Sequence, residues 1–336
     1  MDTIFIDSMN MIEESSVWSK FYNVMFNTGN LVFSEYCKKQ VDYQDVYKLN
    51  FEWSNADRNK VYVLPLSNNL SLDETYFTRL LYKLSKYELN VVPIGLGVQA
   101  DISDTPKNYM EKIPGRKKRL FQKLAYNSVT IGVRGEFTAE CLELLGFKNI
   151  RVIGCPSFYS NIIKSDSSVD IEFNDKYEKR ICVNWDMNCR ERINVKHGNI
   201  DVLCDYVLQT IPEYIKNENG KESIFFSVQE WSKWLVNNNF CGAIGNRFHG
   251  NMICYLNGIP TVWCIKDMRM RELIETLGLP CISMNRQKNC CLEYEDIFNG
   301  KMYSKYFYKK REILKGKYID FLNENGIKNN FAVELL

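Results

Sequence analysis

Arg247 and His249, one residue apart, carry the clearest chemical potential in the chain. They fall where a short apolar run, residues 240–244, breaks at Gly245-Asn246. Beyond the break, Phe248, Met252, Tyr255 and Leu256 recur at i, i+4, i+7 and i+8, the apolar face of a helix. Asn257-Gly258 closes it, since glycine accepts the left-handed conformation of a C-terminal cap. The spacing predicts a strand handing over to a helix at Arg247 and His249. Unpaired backbone N–H groups and the positive end of a helix dipole collect at such a junction. A guanidinium and an imidazole added there make an anion site. Lys266 closes the next predicted strand, 259–265, and parallel neighbours bring their C-terminal ends to one sheet edge. Three cationic or hydrogen-donating side chains could then converge on one crevice. Arg134, at the end of a predicted strand over 129–133, follows the same logic and ranks behind them.

The elements that must position these residues alternate along the whole chain. The first 26 residues read as irregular, and Asn27-Thr28-Gly29-Asn30 is a turn able to present backbone N–H groups at a helix start. Residues 61–66 read as a strand. The helix after it opens with a Ser71…Glu74 capping box and uses Phe77, Leu80, Leu81 and Leu84 as its apolar face. The strand 90–94 runs into Gly95-Leu96-Gly97-Val98-Gln99, where glycines admit a ligand or another backbone. A third glycine and a downstream acid are missing, which rejects a dinucleotide fingerprint. Arg116-Lys117-Lys118-Arg119 opens a helix against its own dipole, an arrangement that an anionic partner would offset. After the strand 129–133 come a helix with Phe137, Cys141, Leu144 and Leu145 and a strand over 150–154. Residues 160–179 are polar and read as a linker. The second half reads as a strand over 180–185, a polar loop with His197, a helix over 200–216, a strand over 223–228 and a helix with Trp231, Trp234 and Leu235. The Arg247 stretch follows, and a long basic, aromatic helix over 303–322 ends the series.

Such alternation predicts parallel sheets covered by helices in both halves. At 336 residues the chain exceeds one ordinary core, so two domains are expected. We set them at 1–165 and 166–298, with 299–336 packing back on both. A net charge of +2 supplies no global field for nucleic acid. No apolar run approaches the roughly 18 residues of a spanning helix, and that of the N-terminus is too short for a signal peptide. A cytoplasmic protein is expected. None of the twelve cysteines forms a Cys-x-x-Cys pair and several lie in apolar segments, so free thiols and no metal site are expected.

These motifs in combination carry a resemblance. Arg-x-His at a helix head, then Asn-Gly-Ile-Pro-Thr-Val and a lysine at the next strand end, resembles the polysaccharide pyruvyl transferase family. Asn27-Thr28-Gly29-Asn30 resembles its N-terminal cleft element, with Asn30 where many members carry an acid. Gly95-x-Gly97-x-Gln99 is similar to its glycine-rich element, and the segment from Gly132 through Arg134 to Tyr159 to its central arginine-then-helix element. Cys155-Pro156-Ser157 replaces the usual Asp-Pro-Ala. The resemblance implies two Rossmann-like domains facing across a cleft, similar to the GT-B glycosyltransferase architecture. It also implies transfer of pyruvate from phosphoenolpyruvate to a sugar of a lipid-linked polysaccharide precursor, forming a cyclic ketal, with peripheral contact at the inner membrane surface. Phosphoenolpyruvate enters as a substrate, and no cofactor is expected. Donor binding falls to Arg247, His249, Lys266 and Arg134, catalysis to His249 and Arg247, and the cleft loops to Asn27, Gly29, Asn30, Gly95, Gly97 and Gln99. Arg269 and Arg271, on the following helix, are expected to matter less. Two other readings stay open: a nucleotide-sugar-dependent glycosyltransferase on the same architecture, and a non-catalytic anion-binding scaffold.

Overall fold

The computed structural model describes residues 2–7, 9, 16–24, 27–48, 50–72, 76–126, 128–160, 180–185, 194–197, 200–201, 203–208, 222–283, 291–298, 303 and 305–331. The N-terminal half contains strands β1 Thr3–Asp7, β2 Asp45–Lys48, β3 Val61–Pro65, β4 Asn90–Ile94, β5 Ile131–Val133 and β6 Ile150–Val152. Its helices are α1 Val17–Asn23, α2 Gly29–Gln40, α3 Tyr76–Lys86, α4 Pro106–Lys112, α5 Gly115–Tyr126 and α6 Glu136–Glu143. Strands β2-β1-β3-β4 pair in that order, all parallel. A parallel bridge from Leu96 to Val133 joins them to the β5–β6 pair.

The sequence reading missed β1. Ile4 and Ile6 enter one apolar cluster and Phe5 another, so both faces of the strand are covered. A strand buried on both sides is a continuous apolar run, and its alternation of polar and apolar residues vanishes.

The second half contains β7 Arg180–Trp185, β8 Asn194–His197, β9 Ile200–Asp201, β10 Leu203–Leu208, β11 Glu222–Ser223, β12 Gly242–Gly245, β13 Thr261–Ile265, β14 Cys281–Ser283 and β15 Cys291–Glu293. Its helices are α7 Val228–Asn237, α8 Phe248–Leu256, α9 Met268–Leu277, α10 Tyr294–Ile297 and α11 Lys305–Glu324. Six strands form one parallel sheet ordered β11-β10-β7-β12-β13-β14. Counted among the strands of this sheet, that order is 3-2-1-4-5-6, with its reversal between β7 and β12. Ligands of open α/β sheets bind outside the strand C-termini at such a reversal.

Two expectations fail here. The helix over 200–216 is replaced, in its described part, by β9 and β10, because Leu203 and Val207 suit a buried strand as well as a helix face. The strand over 223–228 shrinks to Glu222–Ser223, and Val228 already opens α7, capped by the Ser227 side chain. His197 ends strand β8 rather than lying in a loop. The predicted linker, 160–179, lies outside the described residues except for Ser160.

One apolar cluster runs through both halves. It takes Phe5, Val63 and Phe33 from the first, and Cys182, Ala243 and Met252 from the second. Helix α11 adds Phe307, Leu314, Tyr318, Phe321 and Leu322 to it. The Arg311 guanidinium of α11 donates to the carbonyls of Phe158 and Ser160, at 3.2 and 2.6 Å. Nine cysteines, Cys155, Cys182 and Cys254 among them, are free thiols, and no described helix is long and apolar enough to cross a membrane.

Candidate active site

The junction predicted at Arg247 is present. β12 ends at Gly245, Arg247 is the N-cap of α8, and His249 is the second residue of that helix. Its position is set by a buried amide network absent from the sequence reading. Asn251 Nδ2 donates to the carbonyls of Gly245 (2.8 Å) and Val262 (3.1 Å), and Asn184 Nδ2 donates to Asn251 Oδ1 at 3.1 Å. The network ties β7, β12 and β13 to the first turn of α8, so the helix start cannot drift relative to the strand ends.

His249 is buried, 7% exposed. Its Nε2 lies 3.4 Å from Cys155 Sγ, and its ring centroid is 5.6 Å from that of Phe33 on α2. Burial, then the charges of Arg134 and Arg269, push the imidazole well below the usual histidine value. His249 is therefore neutral at pH 7. Cys155 stands where the resemblance implies an aspartate. Its thiol is raised by burial, with Arg134 pulling the other way, and lies 3.1 Å from Ser157 Oγ. A thiol partner leaves the histidine without the carboxylate that would stabilise its charged form.

Arg134 closes β5 one residue before the N-cap of α6, and its backbone N–H donates to Leu96 O at 2.9 Å. The side chain is 1% exposed. One nitrogen, Nη1, donates to Asn68 Oδ1 at 2.6 Å, and the guanidinium lies over the Phe33 ring at 5.1 Å. Nε and Nη2 are buried with no hydrogen-bond partner. Burial lowers its proton affinity, yet a guanidinium stays charged in proteins. A buried cation with two open donors is costly, by several kcal/mol, unless an anion completes it. This residue, ranked behind the others on sequence, is the most deeply buried of the four side chains predicted to bind an anion.

The glycines explain the tight approach. Gly95 has φ +67°, and a Cβ there would sit 3.0 Å from the Phe33 ring. A Cβ on Gly97 would sit 2.8 Å from Arg134 Cδ. The Asn27–Asn30 turn acts one step back. Asn27 Oδ1 accepts from the Gly29 N–H at 3.0 Å, and Asn30 Nδ2 donates to Val24 O at 3.1 Å. Both amides pin the start of α2, whose next turn delivers Phe33 to Gly95, Arg134 and His249.

Arg134, His249, Gly95 and Gly97 are thus brought together around Phe33 and Cys155. Arg247 is half-buried at the mouth of the same sheet edge, and Lys266 is exposed just beyond β13. Gln99 points away: its side chain is exposed and its backbone N–H donates to Tyr109 Oη at 3.1 Å. Arg269 is half-buried in the first turn of α9. It donates to Asp267 Oδ2 at 2.9 Å, yet its charge reaches both His249 and Arg134. Arg271, by contrast, is exposed and paired with Glu275. Asp267 serves as the N-cap of α9, its carboxylate accepting from the Met270 N–H at 2.9 Å. Glu272, also unforeseen, accepts from the Thr138 N–H (2.6 Å) and Oγ1 (2.9 Å) and so ties α9 to the first turn of α6. Burial pushes its carboxyl up to about 7.

This arrangement can hold an anion between Arg134 and the head of α8, with a neutral imidazole alongside. Among solved structures, a protein of uncharacterised function from Klebsiella pneumoniae is similar at 8% identity, covering 87% of this chain and 92% of its own, with a TM-score of 0.43. No curated protein matches the sequence. A family model described as polysaccharide pyruvyl transferase does match, over residues 2–266, a span that includes every residue of the cluster from Phe33 to His249. The chain belongs to the polysaccharide pyruvyl transferase family, transferases that place pyruvyl groups on polysaccharide.

Proposed function

We propose that the donor is phosphoenolpyruvate and the product a cyclic ketal on a lipid-linked saccharide precursor, with release of inorganic phosphate. The observation that carries this reading is the buried Arg134 guanidinium, two of whose donors are unpaired, beside a neutral His249. Phosphoenolpyruvate presents a carboxylate and a phosphate on one three-carbon frame, so each planar donor edge has a partner. Arg134 holds one anionic group, while Arg247 and the N–H groups at the head of α8 face the other. Lys266, at the exposed rim, draws the donor in.

The reaction adds a proton to the donor methylene and makes C2 electrophilic. Two sugar hydroxyls add to C2, two C–O bonds form, and the bond from C2 to the phosphate oxygen breaks. One hydroxyl proton replaces the proton consumed at the methylene, and the other leaves with phosphate. His249, neutral before the donor arrives, is suited to accept a hydroxyl proton or to donate its N–H to the departing phosphate. An anion between Arg134 and Arg269 offsets the charges that depress its proton affinity, so the donor itself readies the base.

The architecture that goes with this reading is two Rossmann-like halves facing across a cleft, as in GT-B enzymes, divided near residues 165 and 298. Residues of both halves meeting at Phe33 support it. A cytoplasmic site peripheral to the inner membrane surface is supported by α11, whose exposed residues include Lys305, Lys309, Tyr306 and Ile313.

Thermal melts with separate ligands test the donor. Phosphoenolpyruvate should raise the melting temperature by mass action, and nucleotide sugars at equal concentration should not. Stabilisation by a nucleotide sugar alone would transfer the site to the glycosyltransferase reading. Phosphate release in the presence of a pool of lipid-linked oligosaccharide then tests transfer.

A further inference from the structure

The N-terminal half carries a second cavity of about 630 Å³, between the outer face of α3, the turn Trp53–Asn55 and the start of α5. Helix α3 buries Leu80, Leu81 and Leu84 against the sheet, so the cavity lies on its opposite side. Trp53, Tyr82 and Tyr87 supply aromatic walls. Arg79, Lys83 and Lys86 recur at i, i+4 and i+7 along α3, and Arg116 joins them from α5. The Arg116 guanidinium lies 6.0 Å from the Tyr82 ring, and Lys86 Nζ lies 5.4 Å from the Tyr87 ring. Glu52 is the one acid among the lining residues, and Ser54 Oγ already donates to it at 2.9 Å.

Two polar atoms of lining residues are buried and unpaired. Trp53 is 1% exposed and its Nε1–H has no acceptor; Thr78 is 6% exposed and its Oγ1 has no partner. Both atoms lie behind the cavity wall without access to solvent, so a ligand meets the tyrosine rings and the cations instead. The rings of exposed Tyr82 and half-buried Tyr87 suit the C–H faces of a pyranose, and four cations against one occupied acid call for an anionic group. None of these residues belongs to the cluster around Arg134 and His249.

We propose that this cavity binds an anionic pyranose unit and so grips a polysaccharide chain, or its precursor, at a second point away from the transfer site. The anionic group is a carboxylate or a phosphate on the sugar. Titration calorimetry on the full chain tests this with four probes: a galacturonate hexamer, glucose 1-phosphate, maltohexaose and ATP. The carboxylated or the phosphorylated sugar should bind, and whichever is tighter names the anionic group. Neutral maltohexaose should bind at least about tenfold more weakly, lacking the charge-assisted bonds. Tyr82→Ala and Lys83→Ala, both exposed and expected to fold, should each weaken the anionic sugar about tenfold. Arg134→Met should leave this binding unchanged, which separates the cavity from the transfer site. Failure of both anionic sugars to bind, equal binding of maltohexaose, tighter binding of ATP, or indifference to Tyr82→Ala and Lys83→Ala would each overturn the proposal.

Discussion

The corner around Arg134 and the edge around Arg247 and Lys266 present cations to one site in opposite ways. Arg134 is 1% exposed, pinned by Asn68 and Phe33, and carries two buried donors without partners. Lys266 is exposed, so water screens its charge, and Arg247 is half-buried, between the two extremes. A solvated cation costs nothing in the empty protein and gains little on binding. A desolvated, fixed one is unfavourable while the site is empty and strongly favourable once an anion arrives. On the proposed function, the corner would set affinity and orientation, and the edge encounter.

Removing the corner should have the largest effect. Arg134→Met should abolish the rise in melting temperature caused by phosphoenolpyruvate and lower transfer by roughly a thousandfold, as loss of a preorganised donor does. The same variant without ligand should melt no lower than the wild type, because a buried, half-paired charge is replaced by an apolar side chain. A large loss of stability with donor binding intact would make the corner structural and dissolve the contrast.

At the edge, Arg247→Lys keeps the charge but loses the planar fork, and we expect kcat/KM to fall about tenfold. Lys266→Ala should cost only a few-fold, and that loss should shrink at high salt. An effect of Lys266→Ala as large as that of Arg134→Met would show that burial does not rank these cations.

Arg269 and Arg271 sharpen the comparison on one helix. Removing the positive charge of Arg269 stabilises the imidazolium of His249, so Arg269→Ala should move its titration midpoint upward, as followed by NMR of the ring protons. Arg271→Ala should leave that midpoint in place, since its guanidinium is exposed and paired with Glu275.

Glu272 yields a smaller effect, on stability. Its carboxyl is pushed up to about 7 by burial, above the value of about 4.3 of an unfolded chain. Between these values the folded state binds more protons than the unfolded state, so stability falls as pH rises through that window and levels off above it. Glu272→Gln should flatten this fall in melts taken from pH 5 to pH 8. A slope equal to that of the wild type would place the titration elsewhere. The smallest change is expected from exhaustive EDTA treatment. The site offers cations, amides and a histidine, so transfer should persist, with no gain from added magnesium or manganese. Abolition by EDTA with rescue by one metal would require an acidic ligand not recognised in this cluster.

Much of this site follows from local rules. Asn257-Gly258 and Gly278 stop helices where a left-handed residue is needed, and Asp267 caps α9 through its own side chain. Apolar spacing after Gly245 suffices to put Arg247 and His249 at a strand-to-helix junction. Among the misread segments, β1 is covered on both faces and lacks a polar–apolar period, and the apolar positions of β10 suit strand and helix alike.

By itself, then, the sequence determined the alternation of strands and helices, the caps, the junction holding Arg247 and His249, and the glycines at 95 and 97. All depend on neighbours within a turn or two of chain. Only the tertiary structure decided that Arg134 is buried while Lys266 is exposed, that Phe33 is the hub of the cluster, and that His249 faces a thiol. It also decided that Arg269 is half-buried while Arg271 is exposed. Those outcomes depend on which surfaces lose water against which others. Burial of that kind joins residues 33, 134, 155 and 249, which no spacing along the chain relates.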